Sequence, residues 1–446
     1  MMFSPRSNIN WESGAENRNM CGSQPRNGEP GKCVSREGMA VRLDSLVVLF
    51  VSIYLFLNPF PHVTAIKQVA FHVSAVIALG LWAFKKQPLF VDTPLVRALL
   101  LFLAWAVITA PFAIDRGNTA HDIYAHFIRF VLVYMIVVTR FNTPRRLEFL
   151  ARLLLFSCFA FICWAIYYYY FHLGHNFTER FATGLRLGAF GTAIHVVGIT
   201  AMFGTMLATL EIAGAKRASG RVFFLIAFAV CLAAVFLTQS RGIIVALFVF
   251  IAGFMALCRR RSAMAGVLVL LVLLVVLTPV RHRLSAKHLI KNVRFRIYAT
   301  MAEVIKDYPL TGIGYGMESY RKLDTDAYDR KITDESKKYR VGPDKRLFIA
   351  DPHNWVIGVT ARTGFVGLAL YLSIVFSFFK MGFSLLNPDR FSDARKWGVF
   401  AVTSFAGLLA AGLFEPTFTS RIEVLYYSLF SMMTIAWRLN TKGFTV

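Results

Sequence analysis

The chain has 446 residues, is 56% hydrophobic and 15% aromatic, and carries a formal net charge of +24. With a mean hydropathy of +0.54, this apolarity excludes a soluble globular protein, and the basic residues fall mostly between apolar runs, a topological pattern that sets nucleic acid aside as a partner. The 6 cysteines form neither a CxxC pair nor a His/Cys cluster, so they indicate neither a disulfide framework nor a metal site.

Residues 1–38, rich in Asn, Gly, Ser, Arg and Pro without an apolar stripe, read as a disordered cytoplasmic tail. Beyond them, apolar runs of the length that crosses about 30 Å of hydrocarbon recur, and lipid leaves helices as the way to satisfy their backbone. The expected fold is all-α and polytopic, with about twelve spans at 43–58, 63–84, 94–113, 122–139, 147–171, 187–211, 221–239, 241–258, 263–280, 353–380, 396–414 and 420–437. The first nine fall in 39–280, a long loop with amphipathic helices covers 281–352, and the last three with a short cytoplasmic tail fill 353–446.

Orientation follows from the basic residues. With the N-terminus inside, the cytoplasmic connections read "FKKQP", "RFNTPRR", "GAKRASGR", "RRRS" and "NPDRFSDARK", and the C-terminal "RLNTKGF" also falls inside. The opposite short connections, "IDRGNTAHD" and "FEPTFTS", are poor in Lys and Arg, which is the positive-inside pattern.

The 281–350 loop lies on the outer side and carries 16 Lys and Arg against 9 Asp and Glu. Loops this long escape the positive-inside rule and tend to carry function. Within 288–308, Ile290, Val293, Ile297, Met301, Val304 and Tyr308 recur at helical spacing, predicting an amphipathic helix lying on the membrane surface, with Arg294 and Arg296 on or beside the stripe. Residues 317–340 read as a solvated charged helix, "GIGYG" (312–316) as a turn, and Asp324-x-Asp326 as solvated surface rather than a metal motif.

Candidate chemistry collects on the outer face. Arg241 sits in "LTQSRG", a short turn at headgroup depth; a guanidinium there is a snorkelling anchor or a phosphate ligand. Arg186 and Arg180 precede the sixth span at the same level, and with Arg294 and Arg296 they outline a site for an anionic lipid headgroup. Glu415, at the outer end of the eleventh span, is placed to hold an acceptor sugar or to pair with an arginine. In "ADPHNWVIG", Asp351 suits an N-cap and Pro352 the first helical position, so His353 is expected in the first turn of the tenth span. The helix dipole disfavours imidazolium there, and a neutral imidazole is what a general base requires.

Four features together resemble the O-antigen ligase and polymerase superfamily: "LTQSRG" between two spans, "RFRIYATMAEVIKDYPLTGIGYG" in the outer loop, "DPHNWVIGVTARTGFVGLALY" opening the next span, and the number and arrangement of spans. The resemblance covers residue 40 to the end. It implies a GT-C-like glycosyltransferase of the bacterial inner membrane with a periplasmic active site. Such ligases transfer O-antigen glycan from undecaprenyl diphosphate to lipid A–core, without nucleotide, metal or cofactor. The family's turn arginine matches Arg241, its loop arginine matches Arg294 with Arg296 as competitor, and its histidine matches His353. Tyr298 stands where family loops often carry Trp.

The combined expectation is an inverting transfer in which His353 takes the acceptor proton while Arg241, Arg294 and, by position, Arg186 hold the diphosphate. A polymerase or a protein O-oligosaccharyltransferase uses the same donor with another acceptor. A transporter is disfavoured, because the span centres are almost wholly apolar and halves do not repeat.

Overall fold

The computed structural model describes residues 32–85, 88–181, 193–215, 217–258, 293–331, 351–387 and 391–441. Every regular element among them is helical: α1 Lys32–Leu57, α2 Thr64–Lys85, α3 Pro94–Thr109, α4 Arg116–Arg140, α5 Pro144–His172, α6 Ile194–Gly214, α7 Ala218–Leu237, α8 Arg241–Leu257, α9 Val293–Asp307, α10 Glu318–Lys322, α11 Thr325–Arg330, α12 Trp355–Ser384, α13 Ala394–Gly412 and α14 Ser420–Thr441. Contacts divide the chain after Arg42, within α1, and the helices that follow belong to the unit Leu43–Val446.

Seven of these helices, among them α4, α5 and α12, are long and apolar enough to cross a membrane; α8 is a shorter apolar helix. The predicted span at 263–280 lies outside the described residues. α6 is buried on nearly all sides and packs against α5 and α7, whereas α7 turns most of its surface outward. A helix apolar all round is a bundle centre in the first case and a lipid-facing rim in the second.

Local sequence sets several helix starts. Thr93 and Thr143 each accept the N–H three residues on (3.2 Å in both), and each is followed by Pro at the first helical position. Asp115 does the same for Asn118 (3.0 Å), so α4 begins six residues before its predicted start and projects toward the loop.

The predicted outer-loop helix exists as α9, but its partner differs from the one expected. Ile297, Met301 and Val304 are buried against Ile313, Tyr320, Leu323 and Ala361, so the apolar stripe packs on protein rather than on a membrane surface. The predicted solvated helix over 317–340 is replaced, within the described residues, by α10 and α11. Tyr320 is 1% exposed and donates to the Gly358 carbonyl (3.2 Å), which anchors what composition suggested was solvent-facing. Asp324 caps α11 by accepting from the Ala327 N–H (3.1 Å).

"GIGYG" is more than a turn. α12 breaks at Gly364 (φ 70°, ψ −178°), a conformation reserved for glycine, and the 309–316 segment fills the break. The Ile313 and Gly314 N–H groups donate to the carbonyls of Ala361 (2.8 Å) and Arg362 (3.1 Å), and the Phe365 N–H donates to Pro309 (2.8 Å). The Trp105 indole takes the Thr363 carbonyl at 2.9 Å. Non-helical backbone inside a helix long and apolar enough to cross a membrane persists because protein groups re-satisfy it. A Cβ on Gly364 would overlap the Leu310 carbonyl. Gly364→Ala is therefore expected to cost at least about 2 kcal/mol, from the backbone strain and the displaced loop. Thermal unfolding of the purified protein checks this; an unchanged midpoint would refute it.

Candidate functional site

At the end of the bundle that carries α9–α11, distant segments meet. α8 starts at Arg241, directly after the turn Thr238–Ser240, in which Gln239 is left-handed (φ 49°). A strap formed by residues 176–181 holds this turn: Phe181 N–H donates to the Leu237 carbonyl (2.9 Å), Arg180 Nε to the Thr238 carbonyl (2.9 Å), and Gln239 Nε2 to the Thr178 carbonyl (3.2 Å). Arg180, predicted as a substrate ligand, thus supports the turn through Nε. Gly242 lets Phe414 and Glu415 approach the start of α8 closely, since a Cβ there would lie 2.5 Å from Phe414 Cβ.

Glu415 links the parts. Its Oε1 accepts from the Ser240 hydroxyl at 2.5 Å and lies 4.0 Å from Arg294 Nη2. The Glu415 side chain is 11% exposed and the Arg294 side chain 26%, so the pair is partly shielded from water. One turn further along α9, Tyr298 lies within electrostatic reach of Arg294, Asp351 and Glu415, and its hydroxyl reaches the Asn354 side chain. Burial pushes the Tyr298 phenol above its ordinary value, with Arg294 and Asn354 pulling the other way, so it remains a neutral hydrogen-bonding group near pH 7.

His353 departs from its expected setting. α12 begins at Trp355 with Asn354 as N-cap, its Oδ1 accepting from the N–H groups of Val356 (2.9 Å) and Ile357 (3.3 Å). Asp351, Pro352 and His353 therefore lie before the helix, correcting the expectation of a first-turn histidine. Asp351 Oδ1 instead accepts from the His353 N–H (2.6 Å), and His353 is left-handed at φ 55°. The physical reason is competition between two side-chain acceptors: Asn354 reaches the first helical N–H groups, leaving Asp351 to form a local turn. Burial raises the Asp351 carboxyl, against the lowering effects of the His353 N–H and of Arg362. Asn354→Ala should remove the cap, cost about 1 kcal/mol and release the Tyr298 contact. A drop in the melting midpoint checks this, and no change would contradict it.

Of the other predicted residues, Arg296 is 1% exposed within the loop module, and Arg186 lies outside the described residues. The grouping therefore comprises Arg294, Glu415, Tyr298 and Asn354, with Arg241 adjoining Ser240 and His353 adjoining Asn354.

Sequence reasoning did not single out Ser240, Asn354 or Arg362. The last is 3% exposed inside α12, donates to the Tyr315 carbonyl through Nε (2.6 Å) and Nη2, and is sandwiched between the rings of Tyr315 (4.2 Å) and Phe418 (4.6 Å). It ties the loop to the span that follows His353. His126 and Glu423 were also missed. They bond at 2.7 Å across α4 and α14, where a π-helical turn, Ile123–Ile128, carries His126. Both border a cavity of about 60 Å³ with aromatic walls. The sequence carried no signal for this pair, whose members are 297 residues apart.

These features define a helical membrane protein with a cationic, carboxylate-linked site at one end of its bundle. Residues 226–372 match the family described as O-antigen ligase, and the match supports assignment of the chain to that family. The matched segment contains Arg241, Arg294, Arg296 and His353; Arg180, Arg186 and Glu415 fall outside it. No curated protein matches the chain.

Proposed function

We propose that this protein is an O-antigen ligase: an inverting, metal-independent glycosyltransferase that moves glycan from undecaprenyl diphosphate to lipid A–core. In this reading it works at the periplasmic face of the bacterial inner membrane, with both termini cytoplasmic. The observation that carries the reading is the meeting of Arg294, Glu415, the Ser240–Arg241 turn and the Tyr298–Asn354 pair beside His353, largely within the family-matched segment.

The chemistry follows from those groups. The donor's isoprenoid stays in the bilayer, which puts its diphosphate at headgroup level. Arg241 and Arg294 bind the diphosphate and stabilise the charge that develops as it leaves. Glu415, shared between Ser240 and Arg294, fixes the guanidinium direction and limits net positive charge before the donor arrives. The His353 imidazole accepts the proton of the acceptor hydroxyl as that oxygen attacks the anomeric carbon. Attack opposite the leaving diphosphate inverts the anomeric centre.

The test is transfer by purified protein with undecaprenyl-linked glycan and lipid A–core, read by product mass. A single glycan addition to lipid A–core supports the ligase. A lengthened lipid-linked glycan would point to a polymerase, and a glycosylated protein to an oligosaccharyltransferase.

A further inference from the structure

The cavity bordered by His126 and Glu423 takes no part in the proposed transfer. Its walls are drawn from α3, α4, α12 and α14, and from two segments that also border the candidate site. Tyr315 comes from the 309–316 segment that fills the break in α12, and Phe418 stands three residues after Glu415. Tyr315 belongs to both places. Its ring lies 6.2 Å from that of Phe127, the neighbour of His126, while Arg362 holds its carbonyl through Nε (2.6 Å) and covers its ring at 4.2 Å. His126 itself sits in a π-helical turn of α4, a helix long and apolar enough to cross a membrane. Such turns and ionisable side chains inside such helices both tend to mark function.

Size and donor set limit what the cavity takes. A water needs about 10–15 Å³ and benzene occupies a cavity of about 150 Å³, so about 60 Å³ suits a few waters and excludes a sugar ring. Polar partners for water are present in Glu423, His126 and the Thr417 hydroxyl. Among the described residues, no group of three or more His, Cys, Asp or Glu is placed to hold a metal ion. The pair consists of one buried carboxylate and one imidazole, Nδ1 lying 2.7 Å from Glu423 Oε2. A carboxylate only accepts, so Nδ1 carries a hydrogen, and Nε2 is the ring position left to gain one. Around the pair, the charges of Asp122 and Glu423 offset those of Arg129 and Arg362 while the imidazole is neutral. Tyr54, Tyr315, Tyr371 and Tyr427 add phenols, which carry no charge near pH 7, and α3 presents only Leu99 and Phe102. A proton on Nε2 therefore adds a positive charge with no counter-ion of its own.

We propose that the His126–Glu423 pair is a proton-binding site supplied by water in this cavity, and that its occupancy controls how firmly the 309–316 segment is seated in α12. A hydronium ion gives its proton to His126 Nε2 and leaves as water; the Nδ1 hydrogen stays on Glu423. The added charge falls in a cavity walled by Tyr315, whose other contacts are to the Arg362 guanidinium. Repulsion between the two cations loosens the Tyr315 contact, and with it the bonds from the Ile313 and Gly314 N–H groups to Ala361 and Arg362. The inference does not rest on the transferase reading, because proton uptake and segment protection are measured without glycan donor or acceptor.

The experiment uses the full-length protein in detergent, with two readouts across about pH 5–8, where histidine changes charge. Nitrogen NMR of histidine-labelled protein follows the imidazoles, and the spectrum of His126→Gln identifies the His126 signal. Amide hydrogen exchange, corrected for the intrinsic effect of pH, follows the peptide containing 309–316. Support is a protonation step at His126 together with exchange about fivefold or more faster at the acid end, a difference that His126→Gln removes. His121 and His353 also stand near this segment and are unchanged in that variant, so an exchange response that survives His126→Gln belongs to them and overturns the proposal. Circular dichroism verifies folding. If His126→Gln is misfolded, Glu423→Gln decides: loss of the carboxylate should move the His126 midpoint by about one pH unit or more, a tenfold change in proton affinity. An unmoved midpoint, a His126 that keeps one protonation state throughout, or wild-type exchange independent of pH overturns the proposal.

Discussion

His353→Asn should lower the transfer rate by roughly 10²–10⁴-fold, the range for loss of a general base, while leaving donor affinity within about twofold. Asparagine is the better substitution because His353 occupies φ 55°, a region that Asn tolerates and Ala does not readily adopt. The Asp351 bond to the residue 353 N–H is a backbone contact and survives the change. Loss of rate in His353→Asn thus reports on the imidazole, whereas His353→Ala adds backbone strain to the same loss. A single-turnover assay with preloaded donor separates the two quantities. Retention of substantial transfer by His353→Asn would remove His353 from the base role.

Arg294→Gln should cut kcat by about 10²–10³-fold, as expected when a positioned donor to developing negative charge is removed. The substitution leaves Glu415 with its Ser240 bond but without the guanidinium 4.0 Å away, so donor affinity should also fall. Arg294→Lys should rescue charge without the planar fork and recover only part of the rate. Arg296→Gln provides the contrast. Arg296 is 1% exposed in the loop module, so its loss should appear mainly as reduced stability. If Arg296→Gln and Arg294→Gln showed the reverse pattern, the loop arginine of the site would be Arg296.

Much of this was legible in the sequence. Apolar run length gave helices in place of strands, and the stripe Ile297, Met301 and Val304 gave α9. The resemblance marked Arg241, Arg294 and His353, and position along the chain marked Glu415. What could not be read was which surface each stripe would meet. Periodicity states that one face of α9 is apolar; it does not say whether lipid or Ala361, Ile313 and Tyr320 will cover it. The histidine was misplaced for a similar reason. "DPHN" offers two side-chain acceptors three residues apart, and local preference alone did not decide that Asn354 would cap α12. Arg362 looked like a charge within a span, and its partner carbonyl on Tyr315 is 47 residues away. The break at Gly364 had no signal beyond a glycine in an apolar run, a residue that membrane helices commonly carry.

The joining of loop and span has a mechanistic consequence. Arg294 rides on α9, whose C-terminal extension threads into the broken span that follows His353. The phosphate-binding and proton-accepting groups of the proposed reaction are therefore held in one register by backbone hydrogen bonds.

The most direct measurement of the central claim is glycan transfer by purified protein in the presence of excess chelator, with undecaprenyl-linked glycan and lipid A–core as substrates. The account predicts a single, inverted glycan addition to lipid A–core at an unchanged rate, lost in His353→Asn. Transfer that stops on chelation, or a wild-type rate in His353→Asn, would contradict it.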